Sequence, residues 1–195
     1  MNVKSLVRFE LPLYADHLLN LPAQDRYLRF SGHVSDYSIE QYVKGIDLTS
    51  GVVKAIYNDD LEIVAAVHVL LFNDGKDAEI ALSVSPDHRR KGYGHALFEA
   101  AVKWVQSRSV EKIYSLCLRE NRPMVRIANA RGMVIHHDSQ EAEAYLNVDK
   151  PTLSTLWSEM LGEQFAWADY TNKQFKVFVG RRNSIFDFGR MKKVS

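Results

Sequence analysis

The residues best suited to chemistry lie in one turn, Arg89-Arg90-Lys91-Gly92-Tyr93-Gly94. It follows the strand-like run Ala78-Glu79-Ile80-Ala81-Leu82-Ser83-Val84 and the linker Ser85-Pro86-Asp87-His88, and it leads straight into an apolar-periodic helix. The first turn of a helix leaves backbone N–H groups unpaired, and the aligned peptide dipoles make that end electropositive. Gly92 and Gly94 carry no side chain, so an anion's oxygens can approach the amides and the backbone can take positive φ. Arg89, Arg90 and Lys91 add three positive charges at the same mouth. That chemistry suits a pyrophosphate better than a neutral ligand.

Other phosphate-binding turns also use glycines, and two of them are excluded. A Walker A loop requires Gly-Lys followed by Ser or Thr, which the sequence lacks. A dinucleotide fingerprint needs a third glycine where Leu97 stands, and the acidic residue at the right distance, Glu111, precedes its strand instead of ending it. What remains is Arg89-x-x-Gly92-x-Gly94 after a strand ending Val84-x-Pro86. This set resembles the acetyl-CoA turn of the GNAT N-acetyltransferase superfamily.

The resemblance implies acetyl-CoA as cosubstrate and an α/β fold with a mixed, mostly antiparallel twisted sheet, a central parallel crossover and flanking helices. It implies that the strand before the turn splays from the next parallel strand. By motif position, Val84 then offers backbone groups to pantetheine and the Leu82 N–H polarises the thioester carbonyl. Arg89, Arg90, Lys91, Gly92, Tyr93, Gly94 and His95 hold the cofactor. The segment from Asn121 to Met133 resembles the GNAT helix that starts at an asparagine near the cofactor and ends in Gly-Phe, with Met133 replacing the phenylalanine. Asn121 is thus a simple helix cap or, as the resemblance implies, a cofactor contact. Asp25-Arg26-Tyr27-Leu28-Arg29-Phe30 resembles the start of a GNAT branch that includes the acetyltransferase domain of bacterial protein-lysine acetyltransferases.

The elements that position these residues follow from periodicity. Residues 6–11 read as a first strand closed by Pro12, residues 14–21 as a short helix, and residues 35–43 as a helix capped by Ser35 with Ile39, Tyr42 and Val43 inward. Residues 52–57, 62–72 and 78–84 form an antiparallel meander, turned by Asn58-Asp59-Asp60 and Asn73-Asp74-Gly75. The helix after the glycine turn buries Leu97, Ala101 and Trp104 beside Phe98, Val102 and Val105, and wets Glu99, Lys103 and Gln106. Residues 112–118 are the next strand; a link through one helix implies a parallel, right-handed crossover. Pro123 fits the first turn of the helix opened by Asn121, Gly132 fits its stop, and residues 133–136 and 142–148 complete the sheet as two antiparallel strands.

The resemblance ends near Asp149, which divides an acetyltransferase domain, 1–149, from a C-terminal helical extension, 150–195. There Leu153, Leu156, Trp157, Met160, Leu161, Phe165 and Ala168 recur at helical spacing, a stripe that packs on the domain or pairs with a second copy in a homodimer. The last fifteen residues carry five basic groups and one acidic, net +4, and read as a solvated tail.

With 195 residues, 46% of them hydrophobic, the chain has the material for a real core. A net charge of +1 makes no case for nucleic acid as a partner. The single cysteine, Cys117, rules out an internal disulfide and reads as a buried structural thiol in a reducing compartment. No signal peptide or membrane span is legible, so the expected location is cytoplasmic.

Acetyl transfer to an amine needs a free lone pair. For a lysine-like acceptor with pKa about 10.4, deprotonation at pH 7 costs on the order of 4.6 kcal/mol. A leaving thiolate, with thiol pKa near 8.5, needs at most about 2 kcal/mol of help. A base therefore matters more than an acid. Glu79 is the candidate base, since the family often has an acidic residue at this point of the strand. Strand alternation sets it with Ala81 and Ser83, opposite Ile80, Leu82 and Val84, unless a bulge resets the parity. The family's usual acid, a tyrosine, falls on Ala128; water, Tyr145 or Tyr170 can take its place. His136-His137-Asp138 makes no metal site, because strand neighbours point to opposite faces. The sequence thus predicts direct acetyl transfer from acetyl-CoA to a primary amine of a small molecule or a protein lysine. The alternative is an acetyl-CoA-binding module without turnover, a sensor or regulator.

Overall fold

Strand alternation between residues 51 and 84 supplies two apolar faces, and helices cover both. In a computed structural model that describes residues 2–138 and 141–191, the sheet runs in the order β1-β2-β3-β4-β5-β7-β6. The strands are β1 (Lys4–Ser5), β2 (Gly51–Tyr57), β3 (Ile63–Phe72), β4 (Asp77–Val84), β5 (Lys112–Leu118), β6 (Val134–Asp138) and β7 (Glu141–Asn147). Every pairing is antiparallel except β4 with β5. The expected fold is the one observed.

On one face, Val53, Ala55 and Ala66 pack under α1 (Leu11–Leu19) and α3 (Asp36–Lys44), which bring Tyr14, Leu18, Ile39 and Val43 to full burial. On the other, Val67, Val69 and Ile80 pack under α4 (Tyr93–Gln106) and α5 (Arg122–Ala130). Leu97, Phe98, Ala101, Trp104 and Val105 of α4 are buried, as their spacing predicts, and Cys117 is a buried free thiol. Ser35 caps α3 by accepting from the Ser38 N–H at 3.1 Å. A third short helix, α2 (Ala23–Phe30), lies against β4 and β5.

The amino terminus differs from expectation. Residues 6–11 are not a strand: β1 ends at Ser5, a 3₁₀ turn spans Arg8–Glu10, and α1 starts at Leu11 with Pro12 in its first turn. Proline costs nothing there, since its missing N–H has no intrahelical partner to lose. The early turn carries Glu10 back to Lys4, with Nζ and Oε2 2.5 Å apart and both side chains almost wholly buried. The same carboxylate accepts from the Val7 N–H at 3.0 Å.

α6 (Leu153–Met191) docks beside α4 and β1 through Glu163, Ala166, Tyr170 and Lys173. Glu163 pairs with buried Lys54 and accepts from Ser5, and Lys173 donates to the Tyr57 carbonyl at 2.9 Å. Although burial pushes the Glu163 carboxyl up, Lys54 and Ser5 hold it below the usual carboxylate range. Trp167 and Tyr170 place their rings 3.8 and 4.6 Å from Lys4 Nζ. Leu153, Trp157 and Phe165 of the predicted stripe stay exposed. The helix backbone extends through Met191, so most of the basic segment is helical; residues 192–195 lie outside the described residues.

Replacing Glu10 with alanine leaves Lys4 buried without a counter-ion and should cost about 3 to 5 kcal/mol, read as a lowered midpoint in chemical denaturation. A loss below about 1 kcal/mol would mean that the rings of Trp167 and Tyr170 suffice for the ammonium.

Candidate active site

The β4–β5 ladder is short. Asp77 pairs with Lys112, Ala78 with Ile113 and Glu79 with Tyr114, and then the strands part, although β4 runs on to Val84 and β5 to Leu118. Backbone direction along β4 can be read from its flanks. The Ser85 N–H donates to Val64 on β3 at 2.9 Å, and the Lys76 carbonyl accepts from Glu111, just before β5, at 2.6 Å. Alternation then turns the backbone groups of Ile80, Leu82 and Val84 into the gap and those of Glu79, Ala81 and Ser83 towards β3. The β3–β4 register runs unbroken from Phe72–Asp77 to Ala65–Val84. No bulge resets the parity, so Glu79 stays on the face of Ala81 and Ser83.

The gap opens onto the glycine turn. Arg90 and Gly92 take left-handed backbone, φ 59° and 81°, which folds the chain tightly before α4. Gly92 caps α4 with no side-chain acceptor, so the N–H groups of Tyr93, Gly94 and His95 begin the helix without a protein cap. Arg90, Lys91, Gly92 and His95 are exposed; Tyr93 is half-buried and stacks on His88 at 6.1 Å.

Two residues of this turn also have partners within the fold. Arg89 forms an ion pair with Asp25 of α2, whereas Arg90 and Lys91 of the turn have no ion-pair partner among the described residues. Gly94 is small for packing: a Cβ there would meet Ile127 Cδ1 of α5 at 2.8 Å. Its lack of a side chain serves the α4–α5 contact.

Asn121 caps α5, its Oδ1 accepting from the Met124 N–H at 3.2 Å, while its Nδ2 reaches the Leu28 carbonyl of α2 at 3.4 Å. Ala128, where the family's tyrosine would stand, is buried. Tyr170 packs against Tyr57 at 4.8 Å in the cluster under α6, which removes it as an acid. Tyr145 pairs in register with Tyr114, itself opposite Glu79. Phe72, Tyr114, Tyr145 and His136 form a chain of ring contacts 5.6 to 6.3 Å apart on the open sheet face beside Glu79, where Leu116 and Val134 are also exposed.

The structure adds polar residues that periodicity could not assign. His17 of α1 donates from Nδ1 to the Ile63 carbonyl at 2.9 Å, so its Nε2, 2.9 Å from Ser83 Oγ, accepts that hydroxyl's proton. His68 on β3 lies opposite Ala81 and meets the Tyr42 hydroxyl through Nδ1 at 2.6 Å. Arg29 Nη2 donates to Tyr42 at 2.9 Å and to Tyr14 at 3.1 Å. The one available signal was His68 itself, a polar break in the apolar run of β3.

Burial pushes both histidines down to about 4, with the Arg29 charge adding to the effect at each and the Ile63 carbonyl opposing it at His17. Their ordinary value is 6.5, so the unfolded chain binds protons below that pH while the folded chain does not. Stability present above pH 6.5 is therefore lost as pH falls towards 4, by on the order of 3 kcal/mol per histidine. Denaturation midpoints measured between pH 7 and 4 should drop accordingly, and His17→Gln with His68→Gln should flatten that slope; an unchanged slope in the double variant would assign the acid sensitivity elsewhere.

The chain matches the sequence profile of the acetyltransferase (GNAT) family over residues 17–133. No curated protein matches it in sequence. Among solved structures it resembles the GNAT domain of S. lividans PAT, with 16% identity, TM-score 0.63, and 74% of this chain and 89% of that chain covered. It also resembles spermidine N-acetyltransferase from Vibrio cholerae in complex with CoA and spermine, with 18% identity, TM-score 0.61, and coverage of 76% and 96%. At such identities the two structures speak for the fold; the profile, spanning more than half of the chain from α1 to the end of α5, carries the assignment. With the parted β4–β5 pair and the uncapped α4 helix inside that span, the chain belongs to the GNAT family of acetyltransferases, enzymes that use acetyl-CoA.

Proposed function

We propose that this protein transfers an acetyl group from acetyl-CoA directly to a primary amine bound on the open face of β4 and β5. The observation that carries the reading is the gap beyond Glu79–Tyr114, bordered by the backbone of Leu82 and Val84 and ending at the free N–H groups of α4. The cosubstrate supplies an activated acetyl thioester. In this reading the Val84 backbone pairs with the pantetheine amides and the Leu82 N–H donates to the thioester carbonyl. The amides of Tyr93, Gly94 and His95 cradle the pyrophosphate, with Arg90 and Lys91 adding charge; Arg89 joins them by exchanging Asp25 for phosphate, and Asn121 borders the same gap.

Glu79 is the proposed base. It stands at the closed end of the gap, exposed, on the face of the aromatic row. A carboxylate there can hold the ammonium and take its proton, directly or through water, offsetting part of the roughly 4.6 kcal/mol deprotonation cost. The acceptor is a small molecule or a protein lysine; spermidine is the substrate named for one structural neighbour. The transferase unit spans 1–149 and the segment 150–195 is its appended helix, whose exposed Leu153, Trp157 and Phe165 suit a homodimer contact. No described helix is long and apolar enough to cross a membrane. We place the protein in the cytoplasm, with no nucleic-acid partner.

The buried Ala128 favours a second reading, a module that binds acetyl-CoA without turnover. Thiol release over a panel of amines separates the two: the enzyme releases CoA with at least one acceptor, whereas the module binds acetyl-CoA and acetylates none. Gly92→Val should weaken acetyl-CoA binding at least tenfold in calorimetry, since φ 81° excludes a β-branched residue and each hydrogen bond to phosphate is worth roughly 1.5 to 3 kcal/mol. Unchanged affinity would remove the turn from the cofactor site.

A further inference from the structure

Arg29 is a cation without a counter-ion. Among the described residues its guanidinium reaches two phenol hydroxyls, Tyr14 and Tyr42, and the rings of Phe30 and Tyr42 at 4.9 and 5.6 Å. Among the described residues no carboxylate lies within ion-pair distance of it. Its Nε has neither solvent contact nor a hydrogen-bond partner. A guanidinium stays protonated at any relevant pH, and a shielded charge of this kind normally sits against an anion.

A second atom in the same cluster is also unpartnered. His68 is 8% exposed, and its Nε2 makes no hydrogen bond. The Tyr42 oxygen accepts from Arg29; in the tautomer where its own proton goes to His68 Nδ1, the neutral ring is protonated on Nε2. Arg29 Nε–H is a donor in every state, and in that tautomer His68 Nε2–H is a second. They call for an acceptor of negative charge, and neither a further amine nor an apolar group would answer them.

The cluster also lies where a substrate would come. Arg29 is one helical turn from Asp25, which holds Arg89 of the glycine turn. His68 stands directly across from Ala81, and Ala81 neighbours Leu82 at the gap. Glu79 is two residues further along the same face, roughly 7 Å away. An amine directed at Glu79 and an anionic group directed at Arg29 could thus belong to one molecule.

We propose that Arg29, His68, Tyr14 and Tyr42 form a subsite for a carboxylate, so that the reacting partner is an acid: an amino acid or similar amine acceptor, or the acyl group of a dicarboxylic thioester. The proposal rests on the acetyltransferase reading and narrows its substrate. Arg29 supplies the charge and the Nε donor, His68 the second donor, and the two tyrosines hold the guanidinium in place. A polyamine or another wholly cationic acceptor would be repelled from this end of the site.

The test uses binding, so that it stands apart from turnover. The full chain, saturated with CoA, is titrated by calorimetry with acetylglycine and acetyl-β-alanine and with their primary amides; a separate titration without CoA compares succinyl-CoA with butyryl-CoA. The carboxylate should bind at least tenfold more tightly than its neutral partner in one of the two arms, the first arm marking an acceptor carboxylate and the second an acyl one. Arg29→Gln should bring that ratio to near one. Ratios within twofold in both arms, or no binding of any carboxylate, overturn the subsite, and the comparison in the unaltered chain decides this even if the variant does not fold. Acetyl-CoA is titrated alongside: if it binds while both ratios are flat, the subsite alone falls, whereas a chain that does not bind acetyl-CoA loses the acetyltransferase reading itself.

Discussion

Everything functional in this fold depends on a hydrogen-bond ladder that stops early. Had β4 and β5 stayed paired beyond Glu79 and Tyr114, the backbone groups of Ile80, Leu82 and Val84 would be spent on the sheet, and no polar strand edge would face a ligand. The strands can part because each keeps a full partner on its other side, β3 for β4 and β7 for β5. The sheet thus carries an internal edge between β4 and β5 in addition to its outer edges at β1 and β6. The crossover through α4 then brings the electropositive end of a helix to the mouth of the opening.

α2 sits across this opening and has three separate ties to it. Asp25 engages the glycine turn through Arg89, the Leu28 carbonyl meets Asn121 at the start of α5, and Arg29 enters the polar cluster over β3. A helix of eight residues with no fully buried side chain gains little from apolar packing, so these polar contacts fix its place. The same contacts make α2 sensitive to whatever binds below it. In the proposed complex phosphate would compete with Asp25 for Arg89, and an anion beside Arg29 would relieve an uncompensated charge.

In α6 the apolar stripe and the docking face are different faces. Its most obvious stripe faces solvent, while the face that docks on the domain is mixed: a carboxylate, an alanine, a tyrosine and a lysine. That face was selected by what it meets. Lys54 lies in a strand whose residues are all buried, and Lys4 lies under the sheet edge, so both ammonium groups need acidic or aromatic partners. Satisfying two buried cations outweighed covering the larger apolar stripe.

The amino-acid order alone determined the meander, the crossover, the glycine turn and the asparagine-capped helix, because each is a local pattern: alternation, helical spacing, a left-handed glycine, a cap three residues from its donor. It also determined the parity that sets Glu79 apart from Leu82. Only the tertiary structure decided that residues 6–11 turn back towards Lys4, that Asp25 takes Arg89, that Gly94 makes way for Ile127, and that His17, Arg29, Tyr42 and His68 meet. Those outcomes join positions far apart in sequence, and their energy lies in desolvated charges whose partners no local pattern specifies. A histidine in an apolar strand or an arginine in a short helix acquires its chemical meaning from what the fold sets against it.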